Sequence, residues 1–244
     1  MNRSRRFLVG APLLGLLAAC NGGQQAPAAN AGGASSAPNN IPMSTEGMVP
    51  MFEVDPFFPK NVGNHGLMGP IIGVDVDSTD TVWIIHRNTP DQFVASTEIG
   101  AAQNPPLSEC CRPAPPVLAF DQKGNLVHSW GGIGSETGPY TWPESNHGIT
   151  IDHMDNVWIG GNGQGDSHVL KFTKDGKFLA QYGKPGARKT GEKDGRPVYT
   201  RNSSDKENFG RVAKIGIDAG ANEAYIADGY FNRRIAVLDV NTGA

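Results

Sequence analysis

Cysteine is scarce in this chain, with three residues in 244, too few for a disulfide framework to staple the fold. Charge of one sign is lacking too: 21 basic residues stand against 24 acidic ones, and neither half is strongly basic. Without a lysine/arginine stripe, a nucleic-acid partner is not expected. Long apolar runs are also missing. The longest, residues 7–19, is too short to span a bilayer stably. Turn chemistry is what the chain has in quantity. Thirty-two glycines and 18 prolines suit many short strands joined by tight turns, in one large domain or one and a half ordinary ones.

The first twenty residues, "MNRSRRFLVGAPLLGLLAAC", have a basic start, an apolar run and then Cys20. They read as a signal peptide. "LAAC" resembles the lipobox of bacterial lipoproteins, which implies a lipid on Cys20 and attachment to the inner or outer membrane of a bacterial envelope. Asn21 is not the aspartate that retains such proteins at the inner membrane, which favours the outer one. "SRRFL" leaves the export route, general or twin-arginine, open. Residues 21–47 are mostly Ala, Gly, Asn, Gln, Pro and Ser with almost no charge, a flexible tether. The domain proper occupies residues 48–244.

Three segments of that domain share one pattern: "IIGVDVDSTDTVWIIHR", "HGITIDHMDNVWIGGN" and "AKIGIDAGANEAYIADGY". Each has an alternating strand ending in Asp (Asp77, Asp152, Asp218), a short turn, and a second strand with an early aromatic (Trp83, Trp158, Tyr225). That is a β-hairpin written three times. A second hairpin follows in "PPVLAFDQKGNLVHSWGG" and in "HVLKFTKDGKFLAQYG", but only "RRIAVLDVNTGA" follows the third. Four strands per unit, repeated, is the pattern of a β-propeller blade. The aspartates lie 75 and 66 residues apart, and the excess over a bare blade falls in insertions at 88–115 and 184–208.

The units resemble NHL-type repeats of six-bladed propellers. The expected class is therefore all-β, an NHL-type β-propeller with about three of six blades present. Blade 1 spans about 70–132, blade 2 about 147–183 and an incomplete blade 3 about 211–244. Blades need neighbours on both faces. An N-terminal portion of a longer protein, whose C-terminal blades close the ring, is the expectation; a half-propeller that dimerises is the alternative.

In a propeller the start of strand one and the end of strand two share a rim. Counting from the repeat aspartates brings Arg87, His147 and Tyr230 to one channel mouth. "GVDVDSTDTVWIIHR", "HGITID" before "VWI", and "YIADGYFNRRI" are similar to successive motifs of peptidyl-α-hydroxyglycine α-amidating lyases. These are six-bladed propellers with a catalytic zinc and a structural calcium that split a peptidyl-hydroxyglycine into an amide and glyoxylate. The resemblance implies that His147 is the first of three zinc-binding imidazoles, with two more on later blades. It implies Tyr230 as the base that takes the substrate hydroxyl proton, and Arg87 as the fork that holds a substrate carbonyl or carboxylate. It also implies that the carbonyls of Val74 and Ile149 hold calcium.

Departures are visible. The other two histidines are not in this chain, Asn146 replaces a proline before His147, and no cysteine lies near Phe209 or Tyr230. A histidine at a strand entrance is also an ordinary structural residue, Tyr230 can simply cap a strand, and Arg87 can pair with Asp91. His86, His128, His153 and His168 show no partner pattern and read as surface or strand residues. Cys110 and Cys111 are adjacent and read as a vicinal disulfide that shapes the first insertion, with metal-binding thiols as the alternative.

The leading expectation is a zinc-dependent lyase acting on a small-molecule or peptide carbinolamide of the N-acyl-hydroxyglycine type. The alternative is a non-catalytic NHL-type propeller that binds a peptide, glycan or partner protein in the envelope. A gluconolactonase-type hydrolase fits less well, because its channel carboxylates are not evident.

Overall fold

A computed structural model describes residues 52–89 and 96–244. The leader, Cys20, the tether and Asp91 lie outside the described residues. Residues 54–244 form one unit. In chain order the strands begin with β1 (Gly66–Leu67), β2 (Ile71–Val76), β3 (Val82–His86), β4 (Arg112–Pro113), β5 (Val117–Phe120) and β6 (Leu126–Trp130). Then come β7 (Asn146–Ile151), β8 (Val157–Gly161), β9 (His168–Phe172), β10 (Phe178–Gly183), β11 (Lys189–Lys193) and β12 (Arg196–Tyr199). The last are β13 (Lys214–Asp218), β14 (Glu223–Asp228) and β15 (Arg234–Asp239). There is no α-helix among the described residues, only a 3₁₀ segment, Ser96–Ala102.

The chain is all-β. Three antiparallel meanders dominate, in the orders β2-β3-β5-β6, β7-β8-β9-β10 and β13-β14-β15. Among the described residues no sheet closes on itself. A parallel pair, β1 with β4, and an antiparallel hairpin, β11 with β12, complete the set.

The repeat aspartates build the turns. Asp77 Oδ1 accepts the amides of Thr79 (2.8 Å) and Thr81 (3.1 Å), while Oδ2 accepts Trp83 Nε1 at 3.0 Å. Asp152 does the same with Met154 (2.9 Å), Asn156 (2.8 Å) and Trp158 Nε1 (2.9 Å). The short carboxylate thus caps the turn and locks the aromatic of the returning strand. Burial works to raise both carboxyls, yet these hydrogen bonds hold them below the usual carboxylate range. The third residue after each aspartate, Asp80 or Asp155, sits at φ 60°, where Asp and Asn tolerate the left-handed region.

The sheets pack in series. Trp83, Ile85, Val117 and Ala119 of the first sheet meet Ile149, Val157, Ile159, Leu170 and Phe172 of the second. Trp158 and Val169 on its other face meet Ile215, Ala224, Ile226 and Leu238 of the third. The second sheet is therefore covered on both faces, which is why β8 and β9 are buried at every residue. Ile84, Leu118 and Phe120 are covered by Phe58, Val62 and Met68 from the chain's approach to the first sheet. Tyr225 stands opposite Gly216, as Trp83 stands opposite Asp75 and Trp158 opposite Thr150. It is nonetheless 39% exposed, because no sheet packs on that face among the described residues; its hydroxyl turns to Glu223 instead.

The first strands of the three sheets lie side by side. Ile151 N donates to Asp75 Oδ2 (2.8 Å), and Thr150 Oγ1 donates to the Ile215 carbonyl (2.8 Å). A Cβ on Gly73 would come within 2.9 Å of Ile149 N, so only glycine allows β2 and β7 to approach this closely.

Both insertions are ordered where described. In the first, Cys110 and Cys111 are disulfide-bonded to each other, and Cys110 O accepts Ala101 N at 3.0 Å. The second carries the β11–β12 hairpin. It is pinned by an Arg188–Asp205 ion pair and by Arg234, whose Nε donates to Asp228 Oδ2 (2.9 Å) and whose Nη2 donates to Asn208 O (2.9 Å). Burial opposes ionisation of Asp205, but backbone amides and Arg188 pull its carboxyl down to about 2.

Candidate functional site

His147 enters β7 at a β-bulge, where the register with β8 shifts between Asn146 and Ile149. Bulges re-aim side chains, and Gly148 (φ 86°) supplies the backbone conformation. Buried Asn146 ties the strand to the first sheet. Its Nδ2 donates to the His86 carbonyl (2.6 Å), and its Oδ1 accepts Trp142 Nε1 (3.1 Å). A proline there would lack both contacts.

His147 Nδ1 lies 2.8 Å from the Ala213 carbonyl, which can only accept. That nitrogen therefore carries a proton, and in this tautomer Nε2 presents a lone pair. The Tyr230 hydroxyl donates to it at 3.0 Å, with the rings edge to face at 5.2 Å and 78°. Tyr230 is 51% exposed. Its turn is held from below by buried Asp228, which accepts Gly210 N (2.6 Å), Asn232 Nδ2 (2.8 Å) and Arg234 Nε. Most of "DGYFNRR" is thus scaffold, and Tyr230 is the residue it displays.

Arg87 follows β3 and reaches Asn162 Oδ1 with Nη2 (3.3 Å), while its buried Nε has no partner among the described residues. Asn162 follows β8. Its side-chain oxygen also accepts Ser145 Oγ (2.8 Å), and its carbonyl accepts Arg211 Nε (2.8 Å). The Arg211 guanidinium lies 5.9 Å from the centre of the Tyr230 ring. One connected rim results, running from Arg87 through Asn162 and Arg211 to Tyr230 and His147. His147 and Tyr230 touch directly; Arg87 joins them only through Asn162 and Arg211. Sequence reasoning missed Arg211 and Ser145. Arg211 stands two residues before Ala213, the strand entrance of the third repeat, and that position was the available signal.

A buried layer supports this rim. Asp166 accepts the amides of Glu144 (2.8 Å), Ser145 (3.1 Å) and Gly163 (2.7 Å), fixing the loop that carries Ser145. Burial pushes its carboxyl up despite those amides. His168 Nε2 lies 2.8 Å from Thr141 O, and burial pushes its imidazole down. Burial likewise lowers His86, which bonds Pro115 O (2.9 Å) and accepts Gly69 N (3.2 Å). Both histidines are strand residues in the interior, not surface ones.

Their lowered values have a definite sign. Below an unfolded histidine value of ~6.5 the unfolded chain takes up protons that the folded chain refuses. Stability is therefore expected to fall as the pH drops from 7.5 to 5.5, read as a lower urea midpoint. A midpoint unchanged across that window would refute this account of His86 and His168.

The zinc and calcium that the resemblance implies need nitrogen or sulfur donors and hard oxygen donors respectively. His147 has the backbone-anchored Nδ1 of a ligating imidazole, but its Nε2 is engaged by Tyr230. No group of three His, Cys, Asp or Glu side chains converges among the described residues. These residues do not make a zinc centre. For calcium, the Ile149 carbonyl accepts the Lys214 ammonium at 3.2 Å, so a positive charge already stands where the cation would be held. The calcium does not fit either.

No family model and no curated protein matches the sequence.

Proposed function

We propose that the three sheets are successive blades of an NHL-type β-propeller, and that the rim is the active site of a carbon–nitrogen lyase. Its substrate would be an N-acyl-α-hydroxyglycine. The observation that carries this reading is the Tyr230 hydroxyl donating to a His147 Nε2 whose tautomer is fixed by the Ala213 carbonyl.

The chemistry needs no oxidant. The substrate hydroxyl proton passes to the Tyr230 oxygen as the Tyr230 proton passes to His147 Nε2. The freed electron pair forms the aldehyde C=O, the C–N bond breaks, and the amide nitrogen recovers a proton from the imidazolium through Tyr230 or from water. The products are a primary amide and glyoxylate. Arg87 would seat the carboxylate through its planar fork.

N-benzoyl-α-hydroxyglycine given to the purified protein should yield one glyoxylate per benzamide. Protein that leaves it at the uncatalysed rate would end the lyase reading. A second reading, a non-catalytic rim that binds a carboxylate-bearing peptide or partner, is favoured by the buried Nε of Arg87, which has no partner among the described residues.

The "LAAC" leader supports lipid anchoring at Cys20 in a bacterial envelope. Cys20→Ser is expected to move the protein from the membrane fraction to the soluble one; unchanged fractionation would reject the anchor.

A further inference from the structure

We propose that Arg211 is the second arm of a carboxylate seat on this rim and sets its preference for carboxylate-bearing ligands. This rests on the rim being the ligand site, and it adds a residue that the lyase motifs do not supply. Three observations converge. First, Arg211 and Arg87 grip the same residue, Asn162, one by its carbonyl and the other by its side-chain oxygen, so both guanidiniums are held at one place. Second, both are partly buried and neither makes an ion pair among the described residues. Arg188 and Arg234, by contrast, are each paired with a carboxylate, and the remaining described arginines are exposed. Two sheltered, uncompensated cations that share Asn162 call for an anion. Third, Arg211 sits at φ 65°, a left-handed conformation that an arginine adopts only under constraint.

The direction of the arm follows from its bonds. Nε is spent on Asn162, and the terminal nitrogens make no hydrogen bond among the described residues. They face the neighbourhood of Tyr230, with the ring 5.9 Å away. A carboxylate placed across Arg87 and Arg211 would set an adjoining hydroxyl-bearing carbon beside the Tyr230 oxygen. A planar two-oxygen anion suits two guanidinium forks better than it suits an ammonium.

Binding of hippurate tests this without turnover, because hippurate carries the carboxylate but no hydroxyl. Its uncharged counterpart, hippuramide, serves as the comparison. By calorimetry on the full chain, hippurate should bind at least about tenfold more tightly than hippuramide. Arg211→Met should weaken hippurate by about 10–100-fold and leave hippuramide unchanged, with Arg211→Lys in between. Arg211→Gly releases the constrained φ, so it should fold at least as well by urea titration and still lose hippurate. Unchanged hippurate affinity in folded Arg211→Met or Arg211→Gly would overturn the proposal. Failure of the lyase reading looks different: no glyoxylate forms, yet hippurate binding depends on Arg211. Full turnover in Arg211→Met with unchanged KM would instead remove Arg211 and keep the lyase.

Discussion

Phenylalanine at position 230 is expected to lower glyoxylate release by about 10²–10⁴-fold, the range for losing one positioned acid–base group. The substitution is narrow. It keeps the ring that meets His147 edge to face and lies under Arg211, and removes only the hydroxyl. Tyr230 is half-exposed, so water can satisfy His147 Nε2, and the urea midpoint should hardly move. The carboxylate seat is untouched, so KM should stay within about twofold while kcat carries the loss. A variant turning over at the wild-type rate would show that the proton leaves by another route.

Asp152→Ala is expected to cost about 3–5 kcal/mol of stability, measured by urea denaturation. Asp152 caps the second hairpin, anchors the Trp158 indole and pairs with Lys171 at 3.2 Å. Both partners are buried, with side-chain exposures of 7% for Lys171 and 0% for Asp152. Lys171 also donates to Val240 O (2.8 Å) and lies over the Trp158 ring at 4.8 Å. Removing the carboxylate strands an ammonium between two sheets and frees two turn amides. Adding Lys171→Met should recover part of the loss, since the stranded charge is then gone. Asp218 is exposed and, among the described residues, its side chain holds only the amides of Gly220 and Ala221, so Asp218→Ala should cost about 0.5–1.5 kcal/mol. Equal losses at Asp152 and Asp218 would contradict the packing described above.

Residues that obey a short-range rule were legible in the sequence. Alternation marked the hairpin strands, and the six-residue step from Asp77 to Trp83 and from Asp152 to Trp158 is the reach of a carboxylate across its own turn to the indole. The repeat register also put His147 and Tyr230 at one end of their strands. What escaped depends on contacts between distant segments, which leave no periodic trace. Arg211 meets Asn162 across 49 positions, and Lys214 meets the Ile149 carbonyl across 65. In "NFGRVAKIG" only the place of Arg211 two residues before the strand entrance sets it apart from a solvated cation, and nothing does so for Lys214. The burial of His86 and His168, though not their place on strands, escaped for the same reason, since segments distant in sequence cover them.

The central claim is that Tyr230 and His147 act as one proton-transfer unit. A double-mutant cycle on glyoxylate release, with Tyr230→Phe, His147→Gln and the two combined, tests it most directly. The account predicts that each single change removes most of the rate and that the double variant is scarcely slower than the worse single one. Losses that multiply would mean independent roles, and the couple would fail as the origin of the activity.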